Sequence, residues 1–83
     1  MYICNVCGFD ELEEPLYYED GAPTFMICAC CGFESGVADL DQGYSFESYR
    51  KKWLEKGTKW LLEDKKPKDW DLKTQLKRIG VEI

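Results

Sequence analysis

The chain of 83 residues contains no histidine. That removes the commonest general base at neutral pH, every Ser-His or Cys-His nucleophile, and every metal site built on imidazole. Lysine and arginine are absent from residues 1–45, which carry nine acids and a charge of −9. From Phe46 onward eleven basic residues face seven acids, giving +4, and the two halves sum to the net −5. No concentrated basic surface of the kind phosphate backbones require is visible, so nucleic acid is not the expected partner; a basic protein suits the acidic half better. No apolar run approaches the ~18 residues of a membrane span. The opening MYICNVCGFDELEE has neither the basic start nor the apolar stretch of a secretory leader, and a soluble cytoplasmic protein is expected.

A chain of this length buries only about 60–65% of its unfolded surface, so its apolar core alone is marginal and a staple is expected. The five cysteines are the candidates. An odd number and no export signal speak against a disulfide framework. Cys4-x2-Cys7, twenty residues and Cys28-x2-Cys31 instead have the spacing of a four-cysteine metal site. Each Cys-x2-Cys turn lets two sulfurs reach one ion at about 2.3 Å while its amides face the thiolates, and the glycine that follows tolerates close backbone approach. With four sulfurs bound, no corner is left for water, so the site is structural and no enzyme is expected. A redox pair of thioredoxin type should open a helix, whereas Cys7 runs into Gly8-Phe9-Asp10-Glu11 without a helical period.

Cys30 is the remainder. Pairing Cys28 with Cys31 repeats Cys4 with Cys7 and places glycine next in both turns, so Cys4, Cys7, Cys28 and Cys31 are the expected ligands. A zinc centre with four thiolates carries −2 and disfavours a further thiolate nearby, which makes Cys30 a buried filler with suppressed reactivity. The acid pairs Glu13-Glu14 and Glu19-Asp20 are read as solvated surface or a protein-binding patch, and no small-molecule substrate is expected.

The two cysteine turns form a two-fold echo of apolar strand, Cys-x2-Cys, Gly and Phe, with strands expected at Leu16–Tyr18 and Thr24–Cys28. Glu34–Gly43 reads as a linker. Beyond it Ser45 can cap a helix whose Phe46, Tyr49, Trp53 and Leu54 share one face, Gly57 can end it, and Asp69 or Asp71 can cap a last helix carrying Leu72, Leu76 and Ile79. Trp53, Trp60 and Trp70 are expected in the core, not as a base-stacking platform. The expected class is α+β, one domain over residues 1–83: a zinc-ribbon-like hairpin unit at 1–43 and two or three short helices at 44–83 packed on it.

Ile3-Cys4-Asn5-Val6-Cys7-Gly8-Phe9, the acidic Leu12-Glu13-Glu14-Pro15, and Ile27-Cys28-Ala29-Cys30-Cys31-Gly32-Phe33-Glu34, followed by a Tyr-Arg-Lys-Lys-Trp helix, resemble the small bacterial cysteine-rich CPCC proteins over nearly the whole chain. Ala29 stands where that family typically has proline, and Asn5 where many such turns do. The resemblance implies a zinc-ribbon-like module without naming an activity. The first turn is also similar to that of rubredoxins, which implies iron as the alternative to Zn2+ and electron transfer as the alternative function, ahead of a nucleic-acid-binding zinc ribbon. The expected role is structural metal binding combined with protein interaction, as in inhibitors or immunity-type proteins.

Overall fold

The computed structural model describes residues Met1–Ile83, and its regular structure is sparse. Helix α1 spans Phe46–Glu55, a 3₁₀ turn spans Glu63–Lys65, and helix α2 spans Leu72–Lys77. Of 38 backbone hydrogen bonds only 8 lie within regular elements, so turns carry most of the backbone pairing.

The expected β-hairpin unit, and with it the α+β class, is not built. Three isolated antiparallel bridges stand in its place, Tyr2 with Leu12, Tyr17 with Pro23 and Ile27 with Glu34. The reason is local. In the expected strand Thr24–Cys28, Phe25 adopts φ 62°, outside the extended region. Its neighbour Thr24 turns its hydroxyl back onto the chain, donating to the Pro15 carbonyl at 2.6 Å and accepting from the Met26 amide at 3.2 Å. A threonine satisfied in this way offers the backbone an alternative to a ladder. Leu16–Tyr18 likewise pairs only across a tight turn, with the Tyr18 amide on the Ala22 carbonyl at 2.8 Å.

The segment Glu34–Gly43, expected as a linker, is a compact series of turns that buries Ser35 and Ala38. The Ala38 amide donates to the Glu34 carbonyl at 2.9 Å and the Tyr44 amide to the Ala38 carbonyl at 3.0 Å, which delivers the chain to α1. The start of α1 follows the sequence reading. Ser45 accepts from the Ser48 amide at 3.0 Å while Ser48 Oγ accepts from the Ser45 amide at 2.9 Å, a reciprocal cap. Gly57, at φ 93°, lies just beyond the C-cap residue Lys56. At α2, Asp71 holds the N-cap position and its carboxylate takes the Thr74 hydroxyl at 2.5 Å.

The buried apolar cluster has fourteen members, five of them the cysteines, so only nine other side chains make the core. Phe33 stands at its centre, edge-on to Phe46 at 5.7 Å and to Tyr49 at 5.2 Å, while Phe9 meets Trp60 at 5.5 Å. Trp53 and Trp60 are buried, which removes them from any base-stacking surface. No helix is long and apolar enough to cross a membrane.

Candidate metal centre

The two cysteine turns are built alike. In the first, the Gly8 amide donates to the Cys4 carbonyl at 2.9 Å and the Cys4 amide to the Phe9 carbonyl at 2.8 Å. In the second, Gly32 donates to Cys28 at 3.0 Å and Cys28 to Phe33 at 2.9 Å. The glycines adopt nearly the same left-handed conformation, φ 84° at Gly8 and 81° at Gly32, which a side chain at Cα would strain. The echo continues into the packing, because Phe9 and Phe33 are both buried immediately after their glycines.

These turns bring the sulfurs of Cys4, Cys7, Cys28 and Cys31 within 4.8 Å of one another, all four residues buried. Two of the separations are 3.8 Å, Cys4 to Cys31, and 3.7 Å, Cys7 to Cys28. A disulfide requires about 2.05 Å, so no pair is bonded. A regular tetrahedron with metal–sulfur bonds of about 2.3 Å has edges of about 3.8 Å, and these separations match it. The residues therefore fit a metal ion held by four sulfurs. When bound, such an ion supplies charge compensation and a covalent-strength cross-link between the two turns.

The titration of the thiols carries the same message. Cys4 is held well below the ordinary thiol range, first by its hydrogen bond with Cys28 and then by those with Cys31 and Cys7. Cys31 is pushed far up, first by Cys28, then by Cys4 and Cys7, and by burial. Hydrogen bonds with Cys28 and Cys31 pull Cys7 down and one with Cys31 pulls Cys28 down, but Cys30, Cys4 and burial raise Cys7, and Cys4, Cys7 and burial raise Cys28, so both end above the ordinary thiol range. Ionisable sulfurs crowded into one buried space disfavour one another's charge, and a cation among them reverses that balance.

Cys30 stands apart. It is buried, and its sulfur accepts from Gln75 Nε2 at 3.3 Å without joining the cluster. By register its counterpart in the first turn is Val6, equally buried. The third residue of each turn is thus a core position that takes a small apolar side chain in one copy and a thiol in the other.

What sequence reasoning did not find is the shell outside the turns. Their carbonyls point outward and residues of the helical half capture them one after another. Arg50 donates through Nε to the Val6 carbonyl at 2.6 Å and through a terminal nitrogen to Asn5 at 3.1 Å. Gln75 Nε2 donates to the Cys7 carbonyl at 3.0 Å and Arg78 to Gly8 at 3.1 Å. Around the second turn, the Leu62 amide takes the Ala29 carbonyl at 2.9 Å, the Leu61 amide takes Cys30 at 3.0 Å, and the Tyr49 hydroxyl reaches Cys31 at 3.4 Å. Arg50 serves carbonyls, not carboxylates, and the single ion pair is Arg78 with Asp10 at 3.6 Å. Only folding, which brings together partners 18 to 70 positions apart in the chain, reveals the arrangement.

No protein-family profile matches the chain, and no solved structure matches it. Among curated proteins it is similar to two uncharacterised proteins of Bacillus subtilis strain 168. YoaQ is 40% identical over an alignment covering 68% of this chain and 59% of the relative. YozI is 34% identical, covering 71% of this chain and 61% of the relative. The chain thus spans about three fifths of the length of these relatives. It is a cysteine-rich chain with uncharacterised homologues, and its four clustered cysteines form a candidate metal site.

Proposed function

We propose that the chain holds a structural zinc ion on Cys4, Cys7, Cys28 and Cys31 and works as a protein-interaction module of the cysteine-rich CPCC type. The observation that carries this reading is the four-sulfur cluster, whose 3.7 and 3.8 Å separations suit a tetrahedral ion. Four protein ligands leave no open coordination position, which favours a structural over a hydrolytic role. Near-complete burial of the four cysteines, with Cys31 the most exposed at 7%, supports a cross-link more than a centre that exchanges electrons at the surface. The excess of acids in residues 1–45 supports a basic protein as the partner, as for an inhibitor or immunity-type protein. Elemental analysis of untagged protein with thiol counting before and after chelation tests the metal: one zinc and one free thiol support the reading. One iron with visible charge-transfer bands would overturn it in favour of electron transfer.

A further inference from the structure

Two cavities adjoin on the outer side of the first cysteine turn, sharing Phe9 and Glu11 as a common wall. The first is an apolar groove of about 350 Å³, lined among others by Leu12, Met26, Ala29 and three exposed side chains, Met1 at 83%, Ile27 at 45% and Leu62 at 45%. The second, of about 310 Å³, is acidic and aromatic, with Trp60 and Trp70 edge-on to each other at 5.6 Å beside Asp10, Asp69 and Asp71. Across both cavities five carboxylates (Asp10, Glu11, Glu13, Asp69, Asp71) face two cations, Lys65 and Arg78, and Arg78 is already paired with Asp10 at 3.6 Å. Trp60, which lines the second cavity, carries a buried indole N–H with no hydrogen-bond partner.

We propose that this pair of cavities is where the partner docks, and that the docking element is an amphipathic basic segment of another protein. Its apolar side chains lie in the groove of Met1, Ile27 and Leu62, and an arginine or lysine beside them enters the cavity of Trp60 and Trp70. The chemistry of each part selects its occupant. Exposed apolar groups that line a concave surface gain by being covered. Tryptophan walls with adjoining carboxylates attract a cation through both ring quadrupole and charge. Lys66 already shows the affinity of one wall for an ammonium, lying 4.9 Å from the Trp70 ring centroid. The inference rests on the proposed protein-interaction role and narrows it from an acidic half to one surface.

The test is titration of the intact, metal-loaded chain with a 14-residue tryptophan-free peptide of leucine and lysine at helical spacing, read by intrinsic tryptophan fluorescence and calorimetry. The peptide with glutamate for lysine is the control. The I27S/L62S and E11Q/D69N variants, which alter exposed side chains, are each expected to weaken binding at least tenfold with metal content unchanged. The E19Q/D20N variant removes acids elsewhere on the acidic half and is expected to bind as wild type. If E19Q/D20N weakens binding and the other two do not, this surface is refuted while the acidic-half reading stands. If neither peptide binds, or both bind equally, both fall. Self-association of the wild type abolished by I27S/L62S would also overturn the proposal, making the groove a contact between copies.

Discussion

Gly8 and Gly32 occupy the same position in two equivalent turns with nearly the same φ, so replacing each by alanine separates conformational strain from packing. The shared cost is that of a Cβ in the left-handed region, about 1–2 kcal/mol. Their surroundings differ. A Cβ at Gly32 would find its nearest neighbour, the Tyr49 hydroxyl, at an ordinary 3.6 Å. A Cβ at Gly8 would meet the Gln75 carbonyl oxygen at 2.1 Å and its carbon at 2.9 Å, both backbone atoms of α2. Relief demands that the first turn and α2 separate by about an ångström, which disturbs the bond from Gln75 Nε2 to the Cys7 carbonyl as well. Forced overpacking of this kind costs about 1–3 kcal/mol beyond the strain. Gly32→Ala is therefore expected to lose about 1–2 kcal/mol and Gly8→Ala about 2–5 kcal/mol, read from the urea midpoints of the metal-loaded proteins at equal slope. Equal losses would refute the close docking of α2 on the first turn.

Three further outcomes are expected. Cys30→Val, which copies Val6 of the first turn, keeps the metal stoichiometry and costs no more than about 1.5 kcal/mol, whereas Cys4→Ser loses metal on gel filtration against a mild chelator; loss of metal from Cys30→Val would make Cys30 a ligand. Arg50→Met removes both donors from the Val6 and Asn5 carbonyls and lowers metal affinity about 10–100-fold in chelator competition. Arg50→Lys does not restore it, because one ammonium cannot span two carbonyls as the fork does; full rescue by lysine would show that charge alone matters. Tyr17 donates to Asp39, and burial first, then Asp39, pushes the Tyr17 hydroxyl above its ordinary 10.0. A raised folded value means stability present below pH 10 and lost as pH rises through the folded value. Asp39 is held below its ordinary 3.8 by the Tyr17 hydroxyl and the Gly36 amide, against the opposing pull of burial, so its contribution is lost as pH falls through the lower folded value. Tyr17→Phe should flatten the alkaline limb of a stability–pH curve and Asp39→Asn the acid limb; unchanged limbs would disprove the pairing.

The legible part of this chain was whatever depends on near neighbours. The Cys-x2-Cys-Gly-Phe echo foretold two equal turns, since a tight turn with a left-handed residue at its end is specified by five adjacent positions. Ser45 announced the start of α1 because its cap needs only Ser48. The strands failed for a related reason. Thr24-Phe25-Met26 has strand composition, yet the Thr24 hydroxyl satisfies local backbone groups and Phe25 leaves the extended region. Composition records preference for a half-buried pleated surface, and here no neighbouring strand exists to supply one. The four-sulfur cluster was legible and its outer shell was not. Gln75, in a short polar helix, and Arg78, just past its end, are unremarkable until folding sets them against carbonyls about 70 positions away.

That outer shell bears on why so small a chain folds around cysteines at all. Each turn directs its sulfurs inward and its carbonyls outward, and three side chains of the helical half cover four consecutive carbonyls from Asn5 to Gly8. These contacts are made to the turn in its closed form. The same contacts bring Arg50 and Arg78 to the backbone of the first cysteine turn, where a four-thiolate centre would carry −2 with zinc. An ion held by the four sulfurs would thus be coupled to the helices through the backbone of the turns. Zinc bound by four thiolates contributes about 10–16 kcal/mol in small domains, comparable to or larger than the whole stability of an ordinary domain. With nine core side chains other than cysteine, the helical half has little apolar area to hold it in place when the turns open. Chelation should therefore release α1 and α2 together with the ion, seen as coincident loss of helical circular dichroism and exposure of Trp53 and Trp60. Retention of both signals in the metal-free protein would show that the aromatic core, and not the metal centre, organises the fold.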